Sequence, residues 1–236
     1  MTLRRFFCID IRGNEATMQG QEHLHLSNVL RCSVGEEVVL WCGDGLDYYA
    51  TIQSIQKQCT LLQVTSVQPN TAELDKDIVL YLGLIKNIDR FELAVQKCIE
   101  LGVYKIVPFV SQYATFRKIN LDRLNAIALN AIKQCGRSRL VEISSIKTWD
   151  EVLIDIQSDP AIFAYEKAVA PIKLALQSQK IAKAKTINVV IGSEGGFSAE
   201  EIMQVYDISI TPVSLGKRIL RAETAAIAVM SVLTIV

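Results

Sequence analysis

Hydrophobic and polar positions follow two rhythms along this chain. From Arg4 to Val67 the apolar residues come in short runs: RRFFCI (4–9), EEVVLWC (36–42), DYYATIQSI (47–55) and CTLLQVTSV (59–67). GDG at 43–45 and QKQ at 56–58 separate them. Short β-favouring runs bounded by turn residues predict strands, and strands this closely spaced predict a small barrel-like β domain over residues 1–70. The polar stretch QPNTAELDKD (68–77), with Pro69, reads as a linker.

Beyond it strands alternate with helices. DIVLYLGLI (77–85) precedes RFELAVQKCIELG (90–102), in which Phe91, Ala94, Cys98 and Leu101 share one helical face and Gly102 is placed to end the helix. Strand YKIVPFV (104–110) then completes a βαβ unit. Helix LDRLNAIALNAIKQCG (121–136), strand VEISSI (141–146), helix WDEVLIDIQ (149–157), strand AIFAY (161–165), a helix from Pro171 and strand INVVI (187–191) follow. A helix after Ser198, strand ISITPVSL (208–215) and a last helix complete the order. This alternation predicts an α/β domain over 71–236, with a mostly parallel sheet covered on both faces and ligands at the carboxyl ends of its strands.

Charge narrows the partners little: Lys+Arg and Asp+Glu both number 25, so a polyanion would have to meet a local basic patch. Six cysteines lie scattered without a CxxC pair, and only His23 and His25 could join them, which predicts reduced thiols, a cytoplasmic protein and no metal site. No signal-peptide-like stretch opens the chain. The uncharged TAAIAVMSVLTIV at the end is 13 residues long, short of the roughly 20 that span a bilayer, and reads as a buried or interface helix.

Two glycine turns carry the chemistry. IGSEGGFSAEEI (191–202) joins a strand to a helix through Gly192, Glu194, Gly195 and Gly196, and Ser198 with Glu201 forms an S-x-x-E capping box. The spacing is not that of a phosphate loop, and a central carboxylate would repel phosphate. A cationic ligand, or a neutral one held by backbone amides, fits better, and an ordinary tight turn with a solvated glutamate fits too. LGKRILRAETA (215–225) repeats the design with Lys217, Arg218 and Arg221 beside Glu223 and Thr224. Cations at the amino end of a helix oppose its dipole, and a local rule broken at a strand end points to function.

In that order near the C-terminus, the two motifs closely resemble those of the SPOUT-class methyltransferases, and within them the RsmE family. RRFF (4–7), HLSNVLR (25–31), RFELAVQKCIELGV (90–103), AIKQCGRSR (131–139) and FAYE (163–166) extend the resemblance over nearly the whole chain. Ser193, Lys133 and Val141 stand where that family usually has proline, glutamate and proline. The resemblance implies a trefoil-knotted C-terminal domain over 71–236, a PUA-like N-terminal β-barrel over 1–70, and a homodimer with the active site at its interface. It implies S-adenosylmethionine as cofactor, and transfer of a methyl group to N3 of a uridine in 16S ribosomal RNA of the small subunit.

Carried over residue by residue, it implies a cofactor held by Tyr165, by Gly192, Glu194, Gly195 and Gly196, and by Leu215, Gly216, Arg218, Ile219 and Leu220. Arg221 would stabilise charge developing on the uracil oxygens, and Glu223 would orient groups or accept a proton. RNA contacts would come from Arg4, Arg5, His25 and Arg31 and from Lys86, Arg90, Arg137 and Arg139, although alternation in RRFF also permits a plain strand with Phe6 in the core. A methyltransferase for another nucleotide and a noncatalytic RNA-binding assembly factor are the competing readings.

Overall fold

The structure is a computed structural model in which residues 3–114 and 118–235 are described. The chain divides into two compact units, Met1–Glu73 with Ile132–Leu140, and Leu74–Ala131 with Val141–Val236.

The first unit is a six-stranded sheet of β1 (Arg4–Phe7), β2 (Ile11–Arg12), β3 (Glu15–Gln19), β4 (Glu37–Trp41), β5 (Leu46–Ile55) and β6 (Cys59–Pro69). The strands run in the order β1-β4-β5-β6-β3-β2, with only β1 and β4 parallel. Alternation turns Phe6, Met18, Leu40, Ile52 and Leu62 into one core; each such side chain contributes about 1.5–3 kcal/mol on burial. Between β3 and β4, α1 (Gly20–Leu24) runs into a π-helical turn (His25–Val29), and Arg31 follows in the left-handed region at φ 50°. The apolar pattern announced neither element, because each buries a single side chain, His23 in one and Leu26 in the other. His23 is an internal residue, its Nδ1 2.9 Å from Thr60 Oγ1.

The stretch 68–77 is not a free linker. β6 continues to Pro69, and the buried Asn70 donates its amide to both oxygens of Asp47 (2.9 and 3.1 Å) and to the carbonyl of Gly136 (3.0 Å). Glu73 accepts the backbone N–H groups of Ser138 (3.0 Å) and Arg139 (2.8 Å) and the guanidinium of Arg137 (2.9 Å). These bonds tie residues 132–140 into the first unit.

The second unit holds β7 (Asp77–Gly83), α2 (Ile88–Glu100), β8 (Lys105–Val110), α3 (Leu121–Cys135, whose last residues belong to the first unit), β9 (Glu142–Ile143), β10 (Lys147–Thr148) and α4 (Trp149–Asp155). β11 (Ala161–Ala164), α5 (Ile172–Leu176), α6 (Gln179–Lys183), β12 (Thr186–Ile191), α7 (Ala199–Asp207) and α8 (Ala222–Ile235) follow. The sheet is wholly parallel in the order β10-β8-β7-β12-β11, with β9 also on β8. One face packs Tyr81, Phe109, Phe163 and Val190 against Trp149 and Val152 of α4 and Ile202 and Val205 of α7. α2 and α8 pack on each other, and α8 also meets β7 and β12. Buried on both faces, the strands read as nearly continuous apolar runs, as parallel sheets require.

The expected strand 208–215 is a correction. It shrinks to two isolated bridges, Val213 beside Ala164 and Ser214 beside Pro171, because α7 reaches Asp207 and Pro212 has no N–H to give a ladder. Among the described residues no helix is long and apolar enough to cross a membrane, and no group of three or more His, Cys, Asp or Glu could hold a metal.

Candidate active site

Parallel pairing sets Ala164 beside Ile191, so β11 and β12 end side by side. Val213 bridges to Ala164 and brings the third segment to the same edge, its N–H donating to Phe163 (2.8 Å) and its carbonyl accepting from Tyr165 (2.9 Å). The three segments after these positions enclose a cavity of about 370 Å³ within the second unit.

Close packing selects the glycines of the first turn. A Cβ on Gly192 would stand 2.7 Å from the Phe197 ring, and one on Gly195 2.8 Å from Tyr113 Cβ. Gly196 takes φ +67°, a left-handed backbone open to glycine at no steric cost. Gly83, at the end of β7, is the tightest: its Cβ would meet the Ser193 nitrogen at 2.4 Å. Beyond the turn Ser198 caps α7, and the buried Glu201 closes the capping box while its Oε1 accepts the N–H of Gln112 (2.8 Å). Ser193 is buried with its Oγ 3.3 Å from Ser111 Oγ.

Glu194 is held differently from the sequence expectation. Its two carboxylate oxygens accept the backbone N–H of Lys86 (3.2 and 3.0 Å), so it fastens the glycine turn to the segment before α2. On the third segment Gly216 takes φ +118°. From Lys217 to Arg221 no backbone N–H makes a hydrogen bond among the described residues, and the side chains of Lys217, Arg218 and Arg221 form neither ion pair nor hydrogen bond there.

Residues 72–234 match the family model described as RNA methyltransferase domain. The chain belongs to that family. Over 228 residues it is 25 % identical to the Ribosomal RNA small subunit methyltransferase E of Bacillus subtilis, covering 92 % of this chain and 89 % of that protein. The crystal structure of the Neisseria gonorrhoeae Ribosomal RNA small subunit methyltransferase E bound to S-adenosyl methionine superposes with a TM-score of 0.84 at 25 % identity, over 98 % of this chain and 96 % of that one. A Legionella pneumophila protein solved with the cofactor SAM bound gives a TM-score of 0.80 at 27 % identity, over 99 % and 97 %. The resemblance to the RsmE family read from the two glycine motifs thus extends along the whole chain.

Within this methyltransferase domain the expected cofactor residues converge. Tyr165, the four residues of the glycine turn, and Leu215, Gly216, Arg218, Ile219 and Leu220 all line the cavity, as does Arg221. Glu223 does not. It is buried against α2, with Oε1 3.7 Å from Arg90 Nε and Oε2 without a hydrogen-bond partner.

The expected RNA residues separate. Arg5 is clasped by both oxygens of Asp47 (3.0 and 2.8 Å) and by Ser138 Oγ (2.6 Å), and Arg137 is 2 % exposed against Glu73. Neither presents a free cation to phosphate, because Arg5 neutralises the buried Asp47 and Arg137 the largely covered Glu73. Burial would push the Asp47 carboxyl up, but the bonds from Arg5, Ser138 and Asn70 together outweigh it and hold the group below its ordinary range. Arg4 donates to Leu30 O, Cys32 Sγ and Glu36, and Arg139 is half-buried with its backbone on Glu73. Arg90 serves Glu223. His25, Arg31 and Lys86 are exposed, and the Arg31 guanidinium has no partner among the described residues. Lys133 meets Glu22 at 2.5 Å.

Sequence reasoning missed Glu166 in the cavity wall and Gly83 beneath the turn. The first was in view as the last letter of FAYE. The second sits where an apolar run breaks to glycine at a strand end.

Proposed function

We propose that this chain is an S-adenosylmethionine-dependent ribosomal RNA methyltransferase that methylates N3 of a uridine in 16S RNA of the small subunit. The observation that carries the proposal is the convergence of three strand-end segments on one cavity in a domain of the RNA methyltransferase family, joined to full-length likeness to a protein solved with S-adenosyl methionine.

The residues present fit that cofactor. A cavity of about 370 Å³ lies in the size range of small-molecule sites, apolar with a few fixed polar groups. Ile191, Leu215, Leu220 and Ala225 supply the apolar wall, and the unengaged amides of 218–221 supply donors. Bare backbone of this kind satisfies the ring nitrogens of a tightly held purine. When bound, S-adenosylmethionine supplies a methyl group on a sulfonium. The chain's task is then alignment and exclusion of water. Arg221, exposed at the cavity edge ahead of α8, offsets the negative charge on the uracil oxygens as N3 loses its proton. Glu223, paired with Arg90, fixes the first turn of α8 and through it the position of Arg221.

In this reading the first unit is a PUA-like barrel that docks on RNA phosphates through exposed cations, and the second unit carries the trefoil knot. Two copies form a homodimer around the site, in the cytoplasm. The test is transfer of labelled methyl from S-adenosylmethionine to small subunits from cells lacking the modification, with nucleoside identification by mass spectrometry. N3-methyluridine at one 16S position is the expected product; a different methylated nucleoside, or no transfer, overturns the assignment.

A further inference from the structure

Of the two carboxylates that line the cavity, only one is uncommitted. Glu194 has both oxygens on the Lys86 amide. Glu166, two residues beyond the end of β11, is exposed and forms no hydrogen bond or ion pair among the described residues. Its carboxylate lies over Gly196, where an added Cβ would stand 3.6 Å from Oε1 and 3.9 Å from Oε2. Gly196 itself takes φ +67° and lines the same cavity. At those distances an added Cβ would make only ordinary contact, so glycine at 196 answers to its left-handed φ, and the carboxylate sits within contact distance of the turn that lines the cavity. Arg218 on the neighbouring segment gives the wall the opposite sign, and together the two suit a ligand that carries both charges.

We infer that Glu166, not Glu194, is the counter-ion for the positive charge of the cofactor's methionyl part. This rests on the S-adenosylmethionine reading above and adds to it the residue that selects for charge. Glu194 acts on the fold of the turn, whereas Glu166 acts on the ligand.

Calorimetric titration with three adenine compounds separates the possibilities. S-Adenosylmethionine carries a sulfonium and an ammonium, S-adenosylhomocysteine only the ammonium, and 5′-methylthioadenosine neither. Glu166→Gln should weaken S-adenosylmethionine about fivefold, the scale of a partly exposed ion pair, and leave methylthioadenosine unchanged. If S-adenosylhomocysteine is also unchanged, the carboxylate faces the sulfonium; if it weakens equally, the carboxylate faces the ammonium. Equal weakening of all three, or no weakening of S-adenosylmethionine, overturns the inference. So does a charge-selective loss in Glu194→Gln, whose amide oxygen can still accept the Lys86 N–H and which should leave the relative affinities for the three compounds unchanged. A wild-type protein that binds none of them overturns the cofactor reading instead. Because Glu166 is exposed, an unchanged melting temperature is expected and confirms that the variant is folded.

Discussion

Arg5 and Arg137 in the first unit and Arg218 and Arg221 in the second are the same side chain under opposite conditions. The first pair sits against Asp47 and Glu73 with its charge neutralised inside the fold. The second pair stands on a segment where no carboxylate or backbone carbonyl of the described chain engages it. A buried arginine with a bidentate partner contributes to structure, and its removal strands a carboxylate. An arginine that the fold leaves unmatched beside a cavity keeps its charge available to a ligand. The sign of a residue says little until the location of its counter-charge is known.

Breaking the first network should have the larger effect. Asp47→Ala leaves Arg5 and Asn70 without their shared acceptor and should cost about 3–5 kcal/mol, read as a lower denaturant midpoint. The same group predicts a pH dependence. Because its folded pKa lies below the ordinary carboxylate value, its contribution is present above about pH 4 and is lost as pH falls through the folded pKa. Acid titration of stability should therefore be flatter in the Asp47→Asn variant than in the wild type.

Breaking the second set should leave stability alone and remove function. Arg221→Ala is expected to lower methyl transfer by about 10²–10³, with cofactor affinity within about threefold by calorimetry. Parallel loss of transfer and cofactor binding would contradict a role confined to the reacting base.

A smaller effect tests the packing beneath the turn. Gly83→Ala places a carbon 2.4 Å from the Ser193 nitrogen and should shift the turn enough to weaken cofactor binding about tenfold, for a strain of about 1–3 kcal/mol. Smallest is Arg31→Ala, which should reduce the salt slope of RNA binding by about one without changing the melting temperature. Arg5→Ala, in contrast, should lower the melting temperature first.

The second unit was legible in its order of elements because parallel strands buried on both faces write themselves as apolar runs, as in IVLYLG and INVVI. The cavity residues were legible because the two glycine motifs follow strand ends, where parallel α/β sheets open their clefts. What the sequence did not reveal depended on partners distant along the chain. Nothing near Arg5 indicates that Asp47 and Ser138 will meet it, and nothing in QPNTAELDKD marks Asn70 and Glu73 as anchors. ISITPVSL has the composition of a strand, yet its pairing is limited to two bridges. EATMQ was passed over because only Ala16 and Met18 turn inward.

The ties between residues 47, 70 and 73 and the segment 136–139 also bear on the order of synthesis. Asp47 and Glu73 leave the ribosome well before Ser138 and Arg137, on the order of several seconds at ordinary elongation rates. Through that interval Glu73 lacks its donors Arg137, Ser138 and Arg139, Asp47 lacks Ser138, and the nascent N-terminal unit is unfinished. Closure of the first unit therefore waits on a stretch encoded past the middle of the chain, and termination between residues 73 and 136 would yield a polypeptide that contains every strand of that sheet and still could not seal it.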